Sequence, residues 1–105
     1  DIEHSVQSAD PSKLPRDACV AFGIERDGAE GVVVVQEATR ALLRSDDAVA
    51  VLARIAARVG DEHDLALDDV VLIAPATLPK TSSGKLRRSE TRTRYLDGTL
   101  QTVAS

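Results

Sequence analysis

The chain has 105 residues, enough for one domain, with an ordinary hydrophobic fraction of 43% but a single Phe, a single Tyr and no Trp, so its core must be built from Val, Leu, Ile and Ala. The formal net charge of −4 excludes general attraction to polyanions, and no apolar run reaches the roughly 20 residues that cross a bilayer. One cysteine, Cys19, excludes an internal disulfide and fits a reducing cytoplasm, while the absence of Met leads us to expect a piece of a longer protein.

The elements follow in chain order. Residues 1–9 read as the end of a helix, with Ile2, Val6 and Ala9 on one face, broken by Asp10-Pro11-Ser12. Asp17–Glu25 reads as a strand, Asp27-Gly28 as a tight hairpin turn, and Gly31–Glu37, with four consecutive valines, as a partner strand buried on both faces. Ser45-Asp46-Asp47 is expected to cap a helix whose inner face carries Val49, Leu52, Ile55, Ala56 and Val59 and whose last turn lies at Gly60-Asp61. Val70–Ala74 is a third strand, which that helix joins to the second as a crossover. Pro75 to Gly84 is a loop, and Lys85 to Leu96 a last, weakly amphipathic helix ended by Asp97-Gly98. The expected fold is α+β: a small three-stranded sheet, one antiparallel hairpin plus a strand joined by a helical crossover, flanked by helices.

Charge is unevenly spread. From Leu78 to Tyr95 there are six basic side chains (Lys80, Lys85, Arg87, Arg88, Arg92, Arg94) against one acid, Glu90. Within this segment Pro79 stiffens one end, Gly84 permits a tight turn, and Thr81, Ser82 and Ser83 offer hydroxyls that can bind phosphate or brace the loop. Lys85 is expected at a helix start, where free N–H groups and the dipole favour anions. A phosphate-binding P-loop is excluded: Pro79 stands where its first glycine belongs, and Leu86 where Ser or Thr would hold magnesium. Arg87 and Arg88 either steer phosphate or solvate a helix. Cys19 reads as a core residue, and His4 and His63 lack metal-ligand spacing, so no metal site is expected. A nucleic-acid role is disfavoured, because Tyr95 is the only aromatic near the basic segment.

The run Pro79-Lys80-Thr81-Ser82-Ser83-Gly84-Lys85-Leu86-Arg87-Arg88 closely resembles the final core motif of the adenylate-forming superfamily, roughly Pro-Lys-Thr-x-Ser-Gly-Lys-x-x-Arg. The order of elements is similar to that family's C-terminal domain over nearly the whole chain. The leading Asp1-Ile2-Glu3, the Val-Val-Val-Val-Gln-Glu strand and the ending Tyr95-Leu96-Asp97-Gly98-Thr99-Leu100 resemble the fatty acyl-AMP ligases more than the acyl-CoA synthetases. The resemblance implies that residues 1–105 are a C-terminal lid domain with an exposed lysine loop at 75–85. It implies that Lys85 is the catalytic lysine and that Thr81, Ser82, Ser83 and Gly84 are the nucleotide-facing loop that presents it. The implied reaction activates a fatty acid with ATP and Mg²⁺ to an acyl-adenylate and passes the acyl group to an acyl carrier protein thiol, or to CoA in the alternative. A non-catalytic regulatory domain of the same fold is the rival reading. The implied partners are the chain's own N-terminal domain, which would hold most of the ATP and magnesium contacts, the phosphopantetheine thiol, received near the first strand and Gly23–Gly28, and a lysine acetyltransferase acting on Lys85. Alone, the domain is expected to be an inactive monomer with a mobile loop from about Leu78 to Lys85.

Overall fold

The computed structural model describes all 105 residues. Helix α1 (Ile2–Ala9) starts at Asp1, whose carboxylate accepts the His4 N–H at 2.8 Å. Strands β1 (Cys19–Arg26) and β2 (Ala29–Glu37) form the expected antiparallel hairpin. Its two-residue turn puts Asp27 and Gly28 at φ +54° and +79°, the left-handed pair that matches strand twist. A short helix α2 (Arg40–Leu43), helix α3 (Ala48–His63), strand β3 (Asp69–Ile73), helix α4 (Arg88–Asp97) and strand β4 (Thr102–Ala104) complete the chain.

The sheet has four strands in the order β1-β2-β3-β4, not three. β3 lies parallel to β2, as the crossover through α3 requires, and β4 is a short antiparallel edge. Thr102–Ala104 is too short, and too exposed at Thr102 and Val103, to leave a hydrophobic pattern in the sequence.

Both faces of the sheet are covered, which explains the unbroken valine run. Val34 points into one cluster with Val6, Leu14, Val51, Ile55, Val59 and Leu72, under α1 and α3. Val33 and Val35 point into the other, with Val20, Phe22, Ile24, Val71, Ile73 and Leu78, backed by Leu86, Tyr95 and Leu100. Alternation within a solid apolar strand therefore feeds two cores.

Helix α3 differs from its expected form. It begins at Asp47 rather than Ser45, because the Ser45 hydroxyl donates back to the Leu42 carbonyl (2.8 Å) and closes the preceding turn. Val51, Ile55 and Val59 form its inner face, while Val49 is 77% exposed and Ala56 is exposed too. The helix runs past Gly60 to His63 and ends on Asp64 in the left-handed conformation. No helix is long and apolar enough to cross a membrane.

Candidate functional site

The lysine segment is a hairpin, and its shape follows from its sequence. Leu78 is buried in the second core, Pro79 is buried behind it, and Leu86 packs on the same cluster from the returning leg. Between them Lys80 and Leu86 pair across an antiparallel bridge. The Thr81 N–H donates to the Lys85 carbonyl (2.8 Å), the Gly84 N–H to the Thr81 carbonyl (2.9 Å), and the Arg87 N–H to the Pro79 carbonyl (3.0 Å). Gly84 makes the turn at φ +88°, a backbone conformation that side chains resist.

This geometry corrects one expectation. Lys85 does not open a helix: the paired leg keeps the chain extended through Arg87, and α4 begins at Arg88. The helix N-terminus therefore favours anions near Arg87–Arg88, and Lys85 is offered instead from a braced turn. Residues 80–85 are all exposed, whereas Leu78 is only 4% exposed, so the base of the loop belongs to the core. Among the hydroxyls, Thr81 Oγ1 accepts the Lys85 N–H (3.1 Å) and lies 3.0 Å from Ser83 Oγ, so these two brace the turn from inside. Ser82 stands at the exposed tip.

The basic residues divide by what they touch. Arg88 donates through Nε to the Ala21 carbonyl (2.9 Å) and forms an ion pair with Glu3; Arg92 donates to the Gly23 carbonyl (2.9 Å). Both satisfy carbonyls on the free edge of β1, which neither phosphate steering nor plain solvation anticipates. Arg94 pairs with Glu90 one turn back (2.9 Å). Lys80, Lys85 and Arg87 remain as exposed cations with no ion-pair partner, all around the hairpin.

Two carboxylates that sequence reasoning quoted without a role complete the site. Glu37, 5% exposed at the end of β2, accepts the Leu78 N–H at 2.9 Å. Glu3 on α1 accepts the Ala21 N–H (3.0 Å) as well as the Arg88 guanidinium. An acid closing a solid apolar strand was the available signal for Glu37.

Other reactive groups serve structure. Burial pushes the Cys19 thiol far up, so it stays protonated and inert. The buried Ser5 hydroxyl lies 2.5 Å from Glu62 Oε2 and 2.8 Å from His63 Nε2, but acid and imidazole both converge on the hydroxyl. A catalytic triad instead needs the acid to orient the imidazole, so this cluster is a tie between α1 and α3. Tyr95 packs edge-on against Phe22 (5.6 Å) and donates to Asp69 Oδ2 (2.8 Å); burial and that hydrogen bond hold its pKa up.

A polar groove of about 360 Å³ beside the hairpin is lined by Asp1, Glu3, Arg16, Asp17, Cys19 and Leu86 among others, an acidic wall unsuited to nucleotide phosphates. A second groove, about 560 Å³, runs along Gly23, Glu25, Glu30, Gly31 and Asp68. No group of three or more His, Cys, Asp or Glu side chains converges to hold a metal ion.

The family model described as "Disco-interacting protein 2-like, AMP domain" matches residues 1–105. The chain is 43% identical over 100 residues to the medium-chain fatty acid–acyl-carrier-protein ligase JamA of Moorena producens, covering 95% of this chain and 17% of that enzyme. The crystal structure of a fatty acid AMP ligase from Legionella pneumophila superposes with a TM-score of 0.80 at 31% identity, over 99% of this chain and 18% of that one. A fatty acyl-adenylate ligase of L. pneumophila in complex with acyl adenylate and pyrophosphate gives 0.77 at 29% identity, again over 99% and 18%. The chain spans about a sixth of the length of the curated relatives it matches. With the family model covering every residue and the fold shared end to end, the chain belongs to the Disco-interacting protein 2-like AMP-domain family of adenylate-forming proteins.

Proposed function

We propose that this chain is the lysine-bearing C-terminal domain of a fatty acyl-AMP ligase and that Lys85 is its contribution to carboxylate activation. The observation that carries the reading is an exposed, unpaired ammonium on the returning side of a braced turn, in a hairpin whose base is built into the core. A surface lysine needs no such support.

The chemistry explains the need. A fatty acid carboxylate attacks the α-phosphate of ATP, forming the acyl-adenylate and releasing pyrophosphate. Two anions must approach, so a compact cation between them orients the nucleophile and offsets the charge that develops on the phosphate. Lys85 supplies that cation, with Thr81 and Ser83 holding the turn that presents it. On this reading the adenine, ribose and magnesium contacts fall to a separate, larger domain, as the resemblance to the adenylate-forming enzymes implies. The domain then moves aside and a phosphopantetheine thiol displaces AMP; β1 and the groove at Gly23 are the surface it would meet. An acyl carrier protein is the favoured thiol donor, since the relative JamA is named for one. A CoA acceptor is the alternative, and identity to fadD25, a putative fatty-acid–CoA ligase of Mycobacterium tuberculosis, at 30% keeps it in view.

The test is to express the full-length ligase carrying this chain, supply Mg-ATP and fatty acids of graded length, and follow pyrophosphate release and acyl-AMP. Acyl-AMP that accumulates with CoA and discharges with acyl carrier protein supports the reading. Rapid acyl-CoA formation would reverse the choice of acceptor, and no acyl-AMP with any fatty acid would remove the function.

A further inference from the structure

We propose that Glu37 and the Glu3–Arg88 pair are positioning residues for Lys85: two carboxylates, reached from different parts of the fold, fix the two legs of its hairpin. The proposal rests on the reading that Lys85 serves adenylation.

The outgoing leg is fixed at Leu78. Its side chain lies in the core, and its N–H donates to Glu37 Oε2 at 2.9 Å. A carboxylate 5% exposed is a costly way to satisfy one N–H, and an apolar side chain would serve packing better at the end of a valine run. What Glu37 supplies is an acceptor rigidly attached to β2, which sets where Leu78 enters the turn. The returning leg is fixed one residue beyond Arg87. The Arg88 guanidinium bridges the Ala21 carbonyl and the Glu3 carboxylate, and that carboxylate also accepts the Ala21 N–H (3.0 Å). Both edge groups of Ala21 are thus used, and the ring of three contacts locks α4 to β1 and α1. The Arg87 N–H to Pro79 carbonyl bond (3.0 Å) ties the two legs together between these anchors. Lys85 stands six residues beyond Pro79 on a turn closed by three hydrogen bonds of 2.8, 2.9 and 3.1 Å, so a shift at either anchor is carried to its ammonium. A misplacement of about 1 Å in a catalytic group can cost roughly 10²-fold in rate.

The experiment uses the full-length ligase. Glu37→Ala and Arg88→Ala are each made in the native and in the Lys85→Ala background, and acyl-AMP formation is measured. Each should lower kcat by about tenfold or more in the native background, with KM for ATP and fatty acid little changed. Glu37→Gln, which keeps a carbonyl oxygen for the Leu78 N–H, should restore most of the rate. In the Lys85→Ala background the same substitutions should cost nothing further, because no ammonium remains to be misplaced. Equal losses in both backgrounds, or no loss in the native one, would overturn the proposal. Arg88 is 58% exposed and its truncation opens no core cavity, so that arm carries no packing loss. If Lys85→Ala leaves adenylation intact, the functional reading has failed, and hydrogen exchange decides the clamp by itself. Both substitutions should then speed exchange of the Thr81, Gly84 and Arg87 amides by at least about tenfold; unchanged exchange overturns it.

Discussion

Leu78→Ala asks whether the lysine hairpin is founded in the core or laid on the surface. Leu78 is 4% exposed and packs with Phe22, Ile24, Val33, Val35, Val71 and Ile73 beneath α4. Truncation removes three carbons, about 2.4 kcal/mol at ~0.8 kcal/mol per buried methylene, and the cavity left behind raises the loss into the ~2–5 kcal/mol range of buried leucines. A domain of this size holds about 5–15 kcal/mol in total and shifts its Tm by roughly 4–8 °C per kcal/mol, so a fall of at least about 10 °C is expected. Urea unfolding of the 105-residue chain followed by far-ultraviolet circular dichroism gives the free energy, with Ser82→Ala at the exposed tip as the contrast, expected within about 0.5 kcal/mol of native. A Leu78→Ala loss below about 1 kcal/mol would place the hairpin base outside the core.

Three further outcomes follow from particular contacts. Val51→Ala should destabilise by about 1–3 kcal/mol while Val49→Ala, at 77% exposure, should be neutral or slightly stabilising through better helix propensity; the reverse ranking in urea would mean α3 presents its other face. Glu62 is held below the usual carboxylate range, first by the Ser5 hydroxyl and then by Arg58. A depressed folded pKa gives stability that is present above about pH 4.3 and lost as pH falls through the folded value, so Glu62→Gln should flatten the fall of Tm below pH 4.5, and an unchanged acid limb would contradict this. Stoichiometric acetylation of Lys85 removes its charge and should silence adenylation as alanine does; retained acyl-AMP formation would show that the charge is not needed.

Much of the architecture was written in local chemistry. The Asp27-Gly28 turn, the valine run and the α3 crossover each combine a residue-level preference with a period, and the sheet realises them. Val49, Leu52, Ala56 and Val59 fit a helical period as well as Val51, Ile55 and Val59 do, and only the packing of α3 on the sheet selects the second set as its inner face. Strand β4 is illegible because it is an edge held by its pairing with β3, and α2 because four residues are too few to show a helical period, although Thr39 caps it. The lysine loop was located by its residues, yet its form was not. The sequence shows Pro79 and Gly84, but the bridge of Lys80 to Leu86 depends on Leu78 and Leu86 finding one core. The partners of Arg88 lie 67 and 85 residues away, and only the fold brings Ala21 and Glu3 to it.

If Lys85 acts in carboxylate activation and not in thiol transfer, its loss must separate the two half-reactions. In the full-length ligase, Lys85→Ala should lower acyl-AMP formation by at least about 10²-fold, the scale for losing one stabiliser of transition-state charge. Transfer of the acyl group from pre-made acyl-AMP to the thiol acceptor should fall far less, and Lys85→Arg should not rescue the first step, because a planar guanidinium cannot stand in for a compact ammonium. Equal losses in the two half-reactions, or an adenylation rate left near that of the native enzyme, would contradict the account.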